Sequence, residues 1–354
     1  MGPNESTSLV EYMKSKRMAL SHSLEDKKII YLDTKYWITL KDQSLQLEDE
    51  KRHFFNLIST LSNAGKIVLP ISEVTFYEVL KRTDKASLKQ TIKIIDAFSK
   101  GIALVTRKEM MHLEFRSFFE QTSEKTKKLI WTKIPFIAYP TFLNHPGFKM
   151  GFNASINQGV IDRFWNLTFT DLFEMLDKND LFKPFIFKDN VNYFNTQKVL
   201  HENENKTFEQ MFLSELGGTL DLFDNIISEV MQEKYFEETG RIATEEELQD
   251  ENKVLYRNLI YHAFRLKRIN TELPSLKIFS SLFANNRWNK TKAHDENDTM
   301  DFLHATFALP YCDYFFTERS LGTTLKQNHL SFDKIYSCEI YHREDEILKM
   351  LSAI

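Results

Sequence analysis

Apolar positions along this chain follow two rhythms. Three short unbroken runs, Lys28-Ile29-Ile30-Tyr31-Leu32, Lys66-Ile67-Val68-Leu69 and Ile102-Ala103-Leu104-Val105, have the length and β-branched content of buried strands. Between them, apolar residues three and four apart predict helices over 48–63, 72–82 and 86–99. Strand, helix, strand, helix, strand is the rhythm of a parallel sheet covered by helices. From about 108 to 268 the strand signal fades and long amphipathic helices are expected, over 208–233 and 245–269 among others, with 151–159 and 189–195 as loops. The strand–helix rhythm returns with a helix over 299–309 and strands at 314–317 and 335–336. The expected organisation is an N-terminal helical lead (1–26, helix over 8–21), an α/β segment (27–107), a helical insertion (108–270) and a second α/β segment (271–354).

Composition narrows the class. A chain of 354 residues with 42% hydrophobic and 27% charged residues can bury a sizeable core, and 30 Phe against 4 Trp make that core aromatic. A net charge of -4 gives no global basic field for coating nucleic acid, although a local cationic groove stays compatible with it. Two cysteines, Cys312 and Cys338, supply neither a disulfide framework nor a cysteine zinc motif, which fits a reducing cytoplasmic setting. No run of 18 apolar residues and no signal-type N-terminal core is present, so neither membrane insertion nor export is expected.

The acidic residues carry the chemistry. Asp298, Asp301, Asp313 and Glu318 crowd one apolar helix and one apolar strand, a costly arrangement unless a cation lies between them. Asp33 closes the first strand run, where ligands bind in open α/β sheets; it also suits a helix N-cap. Glu78 stands inside Phe76-Tyr77-Glu78-Val79-Leu80, as a buried ligand or as a partner of Lys81 or Arg82. Glu73 lies about 140° away on the same helix and suits the helix dipole instead. Asp298 and Asp301, three apart, share a helix face; Asp298 could equally cap the helix. Glu318 repeats the placement of Asp33 on another strand, whereas Asp313 sits at that strand's opposite end. His304 could orient an acid or meet a phosphate, with a satisfied core histidine as the simpler role.

These motifs resemble the PIN domain, a compact α/β nuclease fold. The strand ending in Asp33-Thr34-Lys35, the Ser72 … Glu78 helix, the helix-opening Asp301 and the strand leading to Thr317-Glu318 match its signature in order. The likeness covers about 27–107 and 296–354. Lys35 stands where Asn is common, and Glu318 where Asp is usual. The resemblance implies hydrolysis of phosphodiester bonds with Mg²⁺ or Mn²⁺ held by Asp33, Glu78, Asp301 and Glu318, with Asp298 as auxiliary. It implies RNA ahead of DNA as substrate, a toxin-like or defence-associated endoribonuclease, and self-association or a regulatory protein partner. Thr34, Lys35, Thr317 and Arg319 are candidate phosphate contacts, and the basic run 287–292 with Trp288 a candidate stacking surface. Two other readings stand beside this one. The first is an inactive PIN-like binding or regulatory module. The second is an aspartyl-phosphate hydrolase, for which Lys35 breaks the usual Asp-x-Asp text.

Overall fold

A computed structural model describes residues 9–144, 154–177, 188–241, 243, 250–269 and 271–354. Its centre is a four-stranded parallel sheet in the order β2-β1-β5-β6, with β1 Lys28–Leu32, β2 Ile67–Val68, β5 Tyr314–Phe316 and β6 Glu339–Tyr341. Thus the two α/β segments, distant in sequence, build one sheet: β1 pairs directly with β5, Leu32 opposite Phe316. The run at 102–105, expected in the parallel sheet, instead forms an antiparallel pair, β3 Ile102–Leu104 with β4 Trp131–Lys133, that joins at the β2 side through an isolated bridge. There Ile71 donates to the Ile102 carbonyl (3.2 Å) and accepts from Leu104 (2.9 Å).

Strand alternation sorts the core. Tyr31 and Phe315 face one layer, with Leu104, Phe302 and Phe307; Ile30, Leu32 and Phe316 face the other, with Trp37, Phe54 and Phe76. All of β1 beyond Lys28 is buried, as an uninterrupted apolar run requires. Slipping β1 by one residue would exchange the layers and put the Tyr31 hydroxyl in the apolar layer of Trp37, Phe54 and Phe76, away from its partners Ser72 and His304. A third apolar cluster, including Phe115, Leu216, Leu220, Ile227 and Ile260, holds the helical portion together.

Several local expectations are corrected. The single helix over 208–233 is two, Phe208–Leu222 and Asp224–Thr239, broken at Phe223. All of 189–195, expected as a loop, lies in the helix Lys188–Leu200, because Phe194 packs on the core and Asn195 exchanges hydrogen bonds with the His294 backbone (2.8 and 2.9 Å), which overrides weak propensity. Residues 154–159 belong to the helix Ala154–Trp165; 151–153 lie outside the described residues. The strand expected at 335–336 is the end of a short helix, Phe332–Ile335, closed by Tyr336 packing on Phe332 one turn earlier (5.8 Å between rings), and β6 follows it. β4 lies inside the stretch read as mostly helical, where no strand was expected. The helix over 245–269 is Asp250–Arg265, with 245–249 outside the described residues. At the N-terminus the helix runs Leu9–His22, residue 8 being outside them. No described helix is long and apolar enough to cross a membrane.

One buried acid ties the helical portion to the sheet. Glu114, on the helix Arg107–Glu120, accepts from the Ser275 amide (3.1 Å), the Ser275 hydroxyl (2.6 Å) and the Tyr311 hydroxyl (2.5 Å). Burial raises its pKa to about 7 against those bonds. A folded-state pKa above the unfolded one means full stability at low pH, lost as pH rises through about 7. Urea unfolding without metal should therefore give lower stability at about pH 8 than at about pH 5, by an amount of order 3 kcal/mol from this group. Glu114→Gln should flatten that share of the slope; an unchanged slope would refute the assignment.

Candidate metal centre

The site lies at the carboxyl ends of β1 and β5. Asp33 follows β1, donates its amide to the Phe316 carbonyl (3.0 Å) and caps the helix Thr34–Ser44. Its carboxylate accepts from the Lys35 amide (3.3 Å) and the Thr317 hydroxyl (3.2 Å), so the two sequence readings, cap and cluster member, describe one residue. Glu318 follows β5 and opens the helix Arg319–Leu325 without spending its side chain on the cap. It is half-exposed, with the Lys35 Nζ at 4.0 Å.

Two helices bring the remaining acids. Glu78, on Glu73–Leu80, accepts from the Thr34 hydroxyl and from His304 Nε2 (2.9 Å). Asp301 and His304 sit one turn apart on Glu296–Ala308. Ligand atoms of Asp33, Glu78 and His304 all lie within 4.8 Å of one another. Asp301 accepts no hydrogen bond from any described residue, and its pKa is raised to about 7 by burial, then by the charges of Asp33, Glu78 and Glu318. Those four carboxylates therefore share one electrostatic neighbourhood.

His304 is fully buried and bonded at both nitrogens, through Nδ1 to the Tyr31 hydroxyl (2.8 Å) and through Nε2 to Glu78. Tyr31 in turn meets Ser72 (2.6 Å). Burial alone would make the imidazole less basic, but Tyr31, Glu78 and Asp33 outweigh it and raise its pKa well above the ordinary value. As an imidazolium it donates from both nitrogens. Burial likewise pushes Glu78 up, and the His304 charge with the bonds from His304 and Thr34 brings it below the usual carboxylate range. The pair is a clamp that fixes Glu78 toward Asp33.

This Tyr31–His304–Glu78 chain was the part least visible in the sequence. Its signal was a tyrosine in an otherwise aliphatic strand, since a buried hydroxyl needs a partner. The structure turns away other candidates. Asp298 is not in the cluster: it takes the Asp295 amide (3.0 Å) in a capping box, and its oxygens also accept from Asn286 (3.2 Å) and Lys292 (2.5 Å). The hydroxyls of Thr34 and Thr317 are given to Glu78 and Asp33, so they position acids and are not free for phosphate. The basic run is paired off, Arg287 with Glu215, Lys290 with Glu202 (3.0 Å) and Lys292 with Asp298. Lys35 and Arg319 remain exposed beside the acids. Glu73 is held apart by the Arg107 amide (2.8 Å), and Asp313 caps β1 at the far end through the Ile29 amide (2.8 Å).

The ligand atoms that lie together are those of Asp33, Glu78 and His304, a mainly oxygen set that suits a divalent cation, and Asp301 and Glu318 stand outside that group, with Asp301 in the field of the other acids. Neither cysteine belongs to it. No family model, no curated protein and no solved structure matches this chain.

Proposed function

We propose that this protein is a metal-dependent nuclease that cleaves phosphodiester bonds, RNA ahead of DNA. The observation that carries the reading is Asp301, a mostly buried carboxylate that accepts from no donor among the described residues and lies in the field of Asp33, Glu78 and Glu318, near the carboxyl ends of two parallel strands. Supporting it are the order and spacing of these acids, which resemble the PIN domain. Asp33, Glu78, Asp301 and Glu318 would hold Mg²⁺ or Mn²⁺. The bound cation supplies Lewis acidity, making water a nucleophile near neutral pH and offsetting phosphate charge. The chain does the rest. Thr317 and the Lys35 amide orient Asp33, while Thr34 and His304 orient Glu78. Lys35 and Arg319 present exposed cations to an incoming backbone.

Labelled single-stranded RNA and DNA, incubated with purified protein and Mn²⁺ or chelator, test the reading. RNA cleavage with Mn²⁺ that disappears with chelator is expected. Inactivity on both, together with no rise in unfolding temperature on adding Mn²⁺, would overturn it and favour a binding module.

A further inference from the structure

Away from the acidic cluster, the helices Lys188–Leu200, Phe208–Leu222 and Pro274–Trp288 enclose a cavity of about 620 Å³ with Arg107 in its wall. None of the four clustered carboxylates lines it. Its volume is that of a small-molecule site. Arg107 is its unusual feature. The guanidinium lies over Phe279 (4.0 Å to the ring centroid) and Phe223 (4.8 Å), its Nη2 is buried without a partner, and it donates to no described residue. Glu73, its nearest opposite charge, is engaged by the Arg107 backbone amide and leaves the guanidinium unbonded. Burial lowers the Arg107 pKa to about 10, the mark of a cation short of compensation.

The other cations around the cavity are committed. Lys198 donates to the carbonyls of Asn289 and Lys292 (2.6 Å each) and of Asn286, and Arg287 is paired with Glu215. One planar fork of donors is thus left for an anion. Beside it stand aromatic walls: Phe279 and Phe283 are 4.8 Å apart, and Phe194 meets Phe283 at 5.3 Å. The rim carries exposed Tyr193, Gly218 and Leu222, which leaves a way in from solvent. An anion bearing a flat ring satisfies both halves, whereas a bare phosphate uses only one and a neutral ring leaves the cation unpaired.

We infer that this cavity is a binding site for a nucleoside phosphate, its phosphate on Arg107 and its base against Phe194, Phe279 and Phe283. The site is independent of the nuclease reading, so it is tested with chelator present and the acidic cluster silent. Calorimetric titration of the full chain with AMP, GMP, CMP and UMP, and with adenosine and inorganic phosphate as controls, reads it. At least one nucleotide should bind in the micromolar range, with adenosine and phosphate weaker by about tenfold or more. Arg107→Gln should weaken that nucleotide by about tenfold or more. Gly218→Leu should do the same by filling the cavity, and it keeps the fold because a Cβ there meets nothing within 4 Å and helical glycine is a poor helix former. If Arg107→Gln fails to fold, the Gly218 variant decides. Absence of binding at millimolar nucleotide overturns the assignment. So does affinity unchanged by Gly218→Leu, or affinity lost on Asp301→Asn.

Discussion

Asp301→Asn should lower Mn²⁺-dependent RNA cleavage by about two orders of magnitude or more while raising the unfolding temperature of the metal-free protein. The two changes have one cause. Burial and three neighbouring carboxylates hold the Asp301 pKa at about 7, far above its ordinary value, so the ionised form is strained where no cation offsets it. The sign follows. A raised folded-state pKa contributes stability below the unfolded value and forfeits it as pH climbs through about 7, so the gain from asparagine should be larger at about pH 8 than at about pH 5. Saturating Mn²⁺ should reverse the ranking, because wild type has the charge to bind it and the variant has less. Assays of cleavage beside thermal unfolding, with and without Mn²⁺, read both effects. A residue that merely packed would show loss of stability with loss of activity, and that pattern would count against a metal centre.

How far the sequence foretold this site depends on which physical signal each residue left. Asp33 and Glu318 were legible because both follow short apolar runs, and parallel strands place their carboxyl ends together once β1 and β5 pair. Glu78 and Asp301 were legible as charges on helices otherwise apolar around them. Asp298 misled for a definite reason. Three residues from Asp301 on one helix is compatible with a shared face, but the N-terminal turn leaves unpaired amides, and a carboxylate there satisfies them locally. His304 and Tyr31 were undervalued because their roles arise only when β1, the Glu73–Leu80 helix and the Glu296–Ala308 helix meet. The basic run at 287–292 resembled a binding surface only while its acidic partners, Glu202 and Glu215, lay unseen on other helices. In the fold, β1, β2 and β5 were readable from short apolar runs, whereas the run at 102–105 pairs antiparallel with β4 outside the four-stranded sheet and β6 lies beyond the strand expected at 335–336. The break at Phe223 and the helix through Phe194 and Asn195 were not readable, since both are set by tertiary packing rather than local pattern.

His304→Ala is expected to be the more damaging change to the fold. Removing the imidazole leaves Glu78 without its principal cation and the Tyr31 hydroxyl without its Nδ1 partner in a fully buried place, and breaking one side of such a pair costs roughly 3 kcal/mol or more. Urea unfolding of the metal-free variant measures this loss directly. A second readout separates two roles the geometry allows, since His304 stands both within ligand reach of Asp33 and as the charged partner of Glu78. In the clamp role, the imidazolium and a divalent cation compete for the same Glu78 carboxylate. Mn²⁺ should then raise the unfolding temperature of His304→Ala more than it raises that of wild type, because the ion replaces the missing charge. In the ligand role the shift should shrink, as one donor is gone. The doubly bonded ring and its strongly raised pKa favour the clamp, because a metal-bound imidazole must surrender the proton that Nε2 now gives to Glu78. A smaller Mn²⁺ shift in His304→Ala than in wild type would therefore move His304 from the residues that position Glu78 to those that bind the ion.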